Sequence, residues 1–168
     1  MMTIHRNKNL TYTIVMIATL LCGVAVSSAQ KKVDEAKQSI GKLKVSLIFG
    51  TDGEAQKGMK KVTGDRLKNL KTIKFSNFYL MGEDTQSVLK RYINWANPVK
   101  GSKQILLSFQ PGGKPVANTL KMDLELWIAQ KKVMKSVDSL TTGKPVYIQG
   151  PAWRGGKLIV VAELLDLK

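Results

Sequence analysis

The sequence predicts a mostly β domain of the α+β class, an antiparallel sheet curled or doubled into a sandwich with one helix after the first strand. Two patterns lead to this expectation. Runs of alternating apolar and polar residues recur about every ten residues, and Gly or Pro turn residues separate most of them. In contrast, only residues 54–70 place their apolar side chains at helical spacing.

The first strand and the helix are neighbours in the sequence. Residues 42–50, KLKVSLIFG, alternate regularly enough to predict a strand with one apolar side. In residues 54–70 the apolar side chains stay roughly on one face, and lysines cover most of the remainder. Gly64 interrupts this pattern, because Gly costs about 1 kcal/mol relative to Ala in a helix interior. The segment is therefore expected as one helix or as two short turns, with Thr63 or Asp65 capping the second.

The rest of the chain predicts strands alone. The clearest is residues 119–128, where five apolar positions alternate with residues that include Asp123, Glu125 and Trp127, all expected to point outward. Residues 158–165 are apolar on both sides, which indicates a strand inside its sheet. The other strands are expected at residues 73–80, with a bulge near Ser76, and at residues 86–95, 105–109, 133–137 and 146–149.

The beginning of the chain is typical of a secretory signal peptide. A basic start with Arg6 and Lys8 precedes a 15-residue apolar stretch, and the small residues Ser27 and Ala29 stand third and first before the expected cut. As a helix the apolar stretch spans about 22 Å, which is short of the ~30 Å hydrocarbon core. Cleavage near Ala29 and export to the periplasm or the exterior are therefore expected, rather than a retained membrane anchor.

Signal cleavage divides the chain into three parts. Residues 1–29 are the signal peptide, residues 30–41 a flexible lead-in, and residues 42–168 a single β-rich domain. A lipoprotein signal at Cys22 is disfavoured, because Leu21 stands where lipidation needs a small residue.

Cleavage also changes the chemistry open to the protein. His5 and Cys22, the single His and the single Cys, are lost, so the mature chain has no thiolate nucleophile, no Ser-His-Asp triad and no zinc site built on these residues. No metal and no cofactor are expected, although a carboxylate site for calcium or magnesium remains open. With Arg6 and Lys8 removed, 25 basic residues face 12 acidic ones. A formal charge of +13 points to an anionic partner or surface, or to solubility alone.

Three turns combine Gly with Lys, at residues 112–115, 143–145 and 155–157. Gly lets backbone N–H groups form a nest for an anion, and Lys adds positive charge. Hairpin turns with a solubilising Lys explain the same residues equally well. Together with the aromatic and basic residues of the last loop, these turns give the candidate binding residues Lys114, Lys144, Trp153, Arg154 and Lys157.

Aromatic and basic residues also alternate over residues 90–95, KRYINW. Aromatic faces with cations bind single-stranded nucleic acid, and aromatic platforms also bind the apolar faces of sugar rings. Tyr92 and Trp95 are three residues apart, however, so a regular strand would place them on opposite faces. Packing in the core is the expected role of both rings.

Carboxylates are the main candidates for acid–base chemistry. Asp123 and Glu125 share a strand face, and a carboxylate-dependent glycan hydrolase needs two such groups. They are equally consistent with the solvated side of an amphipathic strand. Ser39 and Ser87 each have a Lys three residues on, but neither opens a helix, as the serine–lysine nucleophile does.

Residues 66–70, 75–80 and 150–160 together carry a family resemblance. The chain resembles small exported bacterial proteins of unknown function that combine a Leu-rich helix, an aromatic-Tyr-Leu strand and a C-terminal Gly-Pro…Gly-Gly-x-Leu-Ile hairpin. The similarity covers most of residues 46–161. It implies a β-rich exported domain and carries over no catalytic residue.

These observations favour a non-catalytic exported module of the bacterial cell envelope. It is expected to bind an anionic or protein partner through basic loops or through a sheet edge, which accepts a partner strand by main-chain hydrogen bonds. A glycan hydrolase using Asp123 and Glu125 is the first alternative, and a single-stranded nucleic-acid-binding protein is the second. The oligomeric state and the order of the strands stay open.

Overall fold

The computed structural model describes residues 35–54 and 57–168, so the expected signal peptide and part of the expected lead-in lie outside the described residues. The chain divides into two units, Met1–Lys37 and Gln38–Lys168, and the second holds the strands and the helix named below. In chain order they are β1 (Ser39–Thr51), β2 (Lys60–Lys61), α1 (Gly64–Leu70), β3 (Asn77–Leu89), β4 (Asn94–Ala96), β5 (Ile105–Pro111), β6 (Thr119–Ile128), β7 (Lys131–Thr141), β8 (Val146–Trp153) and β9 (Gly156–Leu167). Within the described part of the chain, no helix has the length and apolar character that crossing a membrane requires.

The strands form two antiparallel sheets that pack against each other. Sheet A has the order β2-β3-β1-β9-β8, and sheet B has the order β4-β5-β6-β7. This architecture confirms the predicted fold class, a mostly β sandwich with one helix after the first strand. β9 lies between β1 and β8, which confirms that the apolar segment 158–165 belongs inside its sheet.

The core between the sheets follows from period-two alternation in the strands that face each other. From sheet A, β1 contributes alternate apolar side chains such as Leu43 and Leu47, both fully buried. From sheet B, β6 contributes alternate residues such as Met122 and Leu124, also fully buried. Full burial of one such side chain stabilises the fold by roughly 1.5–3 kcal/mol.

Helix α1 covers the other face of sheet A. A second apolar cluster forms there, in which Leu70 of α1 meets Ile48 of β1 and Ile159 of β9, all fully buried. A polar contact ties the helix to the sheet, because Arg66 Nη1 donates to Glu83 Oε1 at 2.8 Å. The second unit, Gln38–Lys168, therefore has three layers, which are α1, sheet A and sheet B.

Glu83 accepts hydrogen bonds from two elements on this covered face. Besides Arg66, Ser46 Oγ donates to Glu83 Oε1 at 2.7 Å, and Lys44 Nζ lies 3.5 Å away. Burial raises the pKa of Glu83, but the hydrogen bonds from Ser46 and Arg66 and the charges of Arg66 and Lys44 outweigh it. The net pKa is lowered, so Glu83 is held in its ionised form.

The predicted helix over residues 54–70 is wrong for its first part. Only residues Gly64–Leu70 are helical, and Lys60–Lys61 form a short strand that pairs with β3. Gly58 has φ +89°, and Gly64, the first residue of α1, has φ +67°. These left-handed conformations prevent a right-handed helix from continuing through residues 58–64. Thr63 occupies the N-cap position, but its side chain makes no capping hydrogen bond.

Several strand boundaries also differ from those expected. β1 begins at Ser39, so residues 39–41 belong to the sheet and not to a flexible lead-in. A turn at residues 90–93 splits the expected strand 86–95 into the end of β3 and the short β4. The bulge expected near Ser76 lies instead at Met81, where the register between β1 and β3 shifts. The loop between β8 and β9 is shorter than expected, because β8 continues to Trp153 and β9 begins at Gly156. Arg154 and Gly155, with φ +46° and +77°, make the tight two-residue turn that joins them.

Candidate binding face

The outer face of sheet B is built by the alternation of β6 and its neighbours. Because Leu124 and Leu126 point into the core, the intervening Asp123, Glu125 and Trp127 point outward, as the sequence predicts. We call this outer surface the tryptophan face. It consists of Ile93, Trp95, Ser108, Gln110, Asp123, Glu125, Trp127, Lys132 and Lys135.

Two tryptophans lie side by side on this face. The ring centroids of Trp95 on β4 and Trp127 on β6 are 5.8 Å apart, with the rings tilted by 58°. Trp95 is 48% exposed, and Ile93, which precedes it by two residues, is 57% exposed. The indole Nε1–H of Trp127 donates to Ser108 Oγ at 3.2 Å, which fixes that ring on the sheet. The pair therefore offers aromatic surface to a ligand from a rigid support.

The expectation that Tyr92 and Trp95 pack in the core is wrong. The turn at residues 90–93 interrupts the strand on which that expectation rested, and the two residues are 38% and 48% exposed. Trp95 meets Trp127, which is 32 positions away in the sequence. The outward position of Trp127 was visible in the alternation of β6. Its pairing with Trp95 depends on the register of β4, β5 and β6, which the sequence does not show.

A carboxylate and two lysines adjoin the tryptophan pair. Lys132 Nζ donates to Glu125 Oε1 at 3.0 Å, and Lys135 Nζ lies 3.9 Å from the same atom. The same Lys132 ammonium is 5.8 Å from the ring centroid of Trp127. The hydrogen bond from Lys132 is the largest effect on the pKa of Glu125 and lowers it. Burial raises this pKa, but the charges of Lys132 and Lys135 lower it further, so the net pKa is lowered. Glu125 is thus an ionised hydrogen-bond acceptor.

Between these groups the face has a small hollow of about 100 Å³. Polar side chains from three strands line it, namely Ser108, Gln110, Asp123, Glu125 and Lys135. The Asp123 carboxylate makes no hydrogen bond or ion pair with any other described residue, so both of its oxygens are available to a ligand. Hydroxyl, amide, carboxylate and ammonium groups here surround a space beside an aromatic surface.

The five binding residues predicted from the turns do not lie together. Lys144 follows Gly143, whose N–H donates to the carbonyl oxygen of Leu164 at one end of β9. Lys157 stands at the other end of β9, seven residues away, which corresponds to about 23 Å along a strand. Lys114 lies in the loop between β5 and β6, at the same end of the sandwich as Lys144.

Trp153, Arg154 and Lys157 form a separate group at the opposite end. The Trp153 ring packs edge-on against Phe49 at 5.3 Å, and the Arg154 guanidinium lies 4.5 Å from the Trp153 centroid. Packing also explains Gly156, because a Cβ there would lie 2.2 Å from the carbonyl oxygen of Gly50. The tight β8–β9 hairpin and its packing on the core therefore explain the Gly and aromatic residues found at this end of the sandwich.

The edges of both sheets have features that disfavour strand addition. β2 and β4 have only two and three residues. On β8, Pro151 lies in a bulge, and β7 carries Lys131, Lys132 and Lys135 with a bulge at Val133. Charges, Pro and bulges on an edge all oppose pairing with a further strand.

Among residues 35–54 and 57–168, no three Asp, Glu, His or Cys side chains are grouped so that they could hold a metal ion. No protein-family model, no curated protein and no solved structure matches the chain. The resemblance to small exported bacterial proteins therefore stays a prediction.

Proposed function

We propose that the protein is a non-catalytic, exported binding module of the bacterial cell envelope and that it holds its partner on the tryptophan face. The observation that carries this proposal is the Trp95–Trp127 pair, in which half-exposed Trp95 on the edge strand β4 lies against partly buried Trp127 on β6, on a sheet face that no described element covers. On the opposite side of the sandwich, the outer face of sheet A carries an apolar cluster that packs against α1.

Exposed, rigidly held tryptophans are typical of binding surfaces. Trp127 is fixed by its hydrogen bond to Ser108 and by its contact with Trp95, and both residues stand on strands. Little conformational freedom is therefore lost when a ligand covers the rings, which favours affinity.

The charge of the domain supports an anionic partner. Residues 38–168 contain 22 Lys and Arg against 10 Asp and Glu, a formal charge of +12. Such an excess attracts anions and accelerates their encounter with the protein. The face itself is mixed in sign, so it selects among anions by the position of their charges.

The geometry does not favour a glycan hydrolase. A hydrolase of this class needs one carboxylic acid with a raised pKa to protonate the leaving group. The pKa of Glu125 is lowered by Lys132 and Lys135, and Asp123 stands beside it on the same strand instead of facing it across a cleft. Both carboxylates are arranged to accept hydrogen bonds from a ligand.

Co-sedimentation of the full-length protein with isolated bacterial envelopes, at low and high salt, tests this proposal. We expect Trp95→Ala to raise the apparent Kd about tenfold or more, as loss of a central interface tryptophan does. Leu165→Ala is the control, because Leu165 is 39% exposed and lies on β9 of sheet A, away from the tryptophan face. Unchanged binding by Trp95→Ala would contradict the proposal.

A second arm separates binding from catalysis. Asp123→Asn with Glu125→Gln should alter affinity for the envelope while no glycan product is released by either protein. Release of glycan fragments by the wild type, and its loss in this double variant, would instead establish the hydrolase.

A further inference from the structure

A second depression adjoins the hollow on the tryptophan face. We call this depression the basic cleft; its volume is about 490 Å³. Lys90 and Arg91 come from the turn after β3, and Lys114 comes from the β5–β6 loop. Apolar residues complete the cleft, namely Ile40, Pro111 and Pro115. Gln110 lines both the cleft and the hollow, so the two depressions adjoin at the end of β5.

We propose that the tryptophan pair, the hollow and the basic cleft form one path for an acidic glycan chain, with a sugar ring on the tryptophans and an acidic substituent in the cleft. This inference deepens the proposed function and rests on it, because it names the class of ligand that the tryptophan face would hold.

The order of chemical groups along the path supports a glycan. Trp95 is paired with Ser108 on β5, and Gln110 is two residues further along, a distance of about 7 Å. Asp123 is the cross-strand partner of Gln110 on β6. A ligand that follows β5 therefore meets aromatic surface, then carboxylate and amide groups, then cations.

The carboxylates distinguish a glycan from a nucleic acid. Glu125 stands level with Trp95, and Asp123 lies between the tryptophans and the basic cleft, where a strand with a phosphate at every residue would place negative charge next to both carboxylates. Sugar hydroxyls instead donate hydrogen bonds to carboxylates, and the apolar face of a sugar ring packs on an aromatic ring. A glycan with neutral rings and spaced acidic groups fits both features.

The lining of the basic cleft accounts for the acidic substituent. It includes Lys90, Arg91 and Lys114, with no Asp or Glu among its lining residues. Arg binds a planar carboxylate or a phosphate through two parallel hydrogen bonds, and Lys acts as a point charge. The shared chemistry is a carboxylate or phosphate group carried on a sugar chain.

The test compares two forms of one polysaccharide, polygalacturonate and its methyl-esterified form, in which the carboxylate charge has been removed. Affinity for the full-length protein is followed by intrinsic tryptophan fluorescence. We expect the acidic form to bind about tenfold more tightly than the ester, a difference of the size that two charge-assisted hydrogen bonds provide. Arg91→Gln with Lys114→Gln should remove this preference, and Trp95→Ala should weaken the binding of both forms.

Lys71→Gln with Lys74→Gln is the charge-matched control. Both lysines are exposed and lie outside the tryptophan face and the basic cleft, directly after α1, so this variant should keep the tenfold preference. An equal loss of preference in the control would show that net charge alone attracts the ligand, and it would overturn the inference.

A third probe is a single-stranded thymidine oligonucleotide. Tighter binding of the oligonucleotide than of polygalacturonate, sensitive to Trp95→Ala, would overturn the glycan inference in favour of nucleic acid. No affinity for any of the three probes, with Trp95-dependent binding to envelopes retained, would overturn the inference and leave the proposed function standing. Trp95-independent binding to envelopes would overturn both.

Discussion

The two outer faces of the sandwich are made by the same alternation of residues, yet α1 packs on one of them and the other is open to solvent. On sheet A the outward residues Ile48 and Ile159 are apolar, and α1 buries them. On sheet B the outward residues Asp123 and Glu125 are polar and share their surface with Trp127. The covered face contributes stability, and the open face presents chemical groups. Each substitution below is expected to affect one face and leave the other unchanged.

The largest effect is expected from Leu70→Ala, which removes the fully buried anchor of α1 on sheet A. The free energy of unfolding should fall by about 2–5 kcal/mol, since a cavity adds to the lost transfer energy. Urea unfolding measures the change. Trp95→Ala, on the open face, should cost about 1 kcal/mol or less, because that ring is half-exposed. Equal losses from the two substitutions would contradict the division between the faces.

Glu83→Gln should give a smaller and pH-dependent effect. It weakens the contacts of Glu83 with Ser46 and Arg66, and a loss of about 1 kcal/mol is expected at neutral pH after allowance for partial exposure. The pKa of Glu83 is lowered by folding, so its contribution is complete above the unfolded value of about 4.3 and disappears as pH falls through the folded value.

Urea titrations of the wild type and Glu83→Gln at neutral and acidic pH measure this difference. The two stabilities should converge in acid. A difference that is constant with pH would show that the charge of Glu83 does not hold α1 on the sheet.

The smallest effect is expected from Lys132→Gln on the open face. Its contact with Glu125 is largely exposed, so stability should change by no more than about 0.5 kcal/mol. The pKa of Glu125 should rise towards its ordinary value, because the hydrogen bond that lowers it most is weakened. The carboxyl resonance of Glu125, followed through a pH titration, reports this change, with Lys131→Gln as the control. An unchanged titration of Glu125 would contradict the assigned role of Lys132.

Local patterns predicted the parts of this fold that depend on near neighbours in the sequence. The alternation of β6 placed Glu125 and Trp127 outward correctly, and the apolar run of β9 placed it inside its sheet. The prediction of a helix over residues 54–70 was wrong in its first part, because it relied on apolar spacing and the chain instead adopts left-handed conformations at Gly58 and Gly64. Glycine reveals where such a conformation is allowed, but not whether the chain uses it.

The binding face depended on distant pairings, which explains why it could not be assembled from the sequence. Trp95 and Trp127 meet only through the register of three strands. In the same way, Lys144 and Lys157 share a Gly-Lys motif but stand at opposite ends of the β8–β9 hairpin, because an antiparallel pair places its turn and its open end far apart. The shared Gly-Lys motif therefore did not show that Lys144 and Lys157 lie far apart in the fold.

The chain's three tryptophans provide the most direct test of the central claim, that the open face of sheet B is the binding surface. Their indole N–H resonances can be followed while soluble glycan fragments released from bacterial envelopes are added. The account predicts that the signals of Trp95 and Trp127 shift together and that the signal of Trp153, packed against Phe49 at the far end, stays in place. Saturable binding that moves only Trp153, or none of the three, would contradict it.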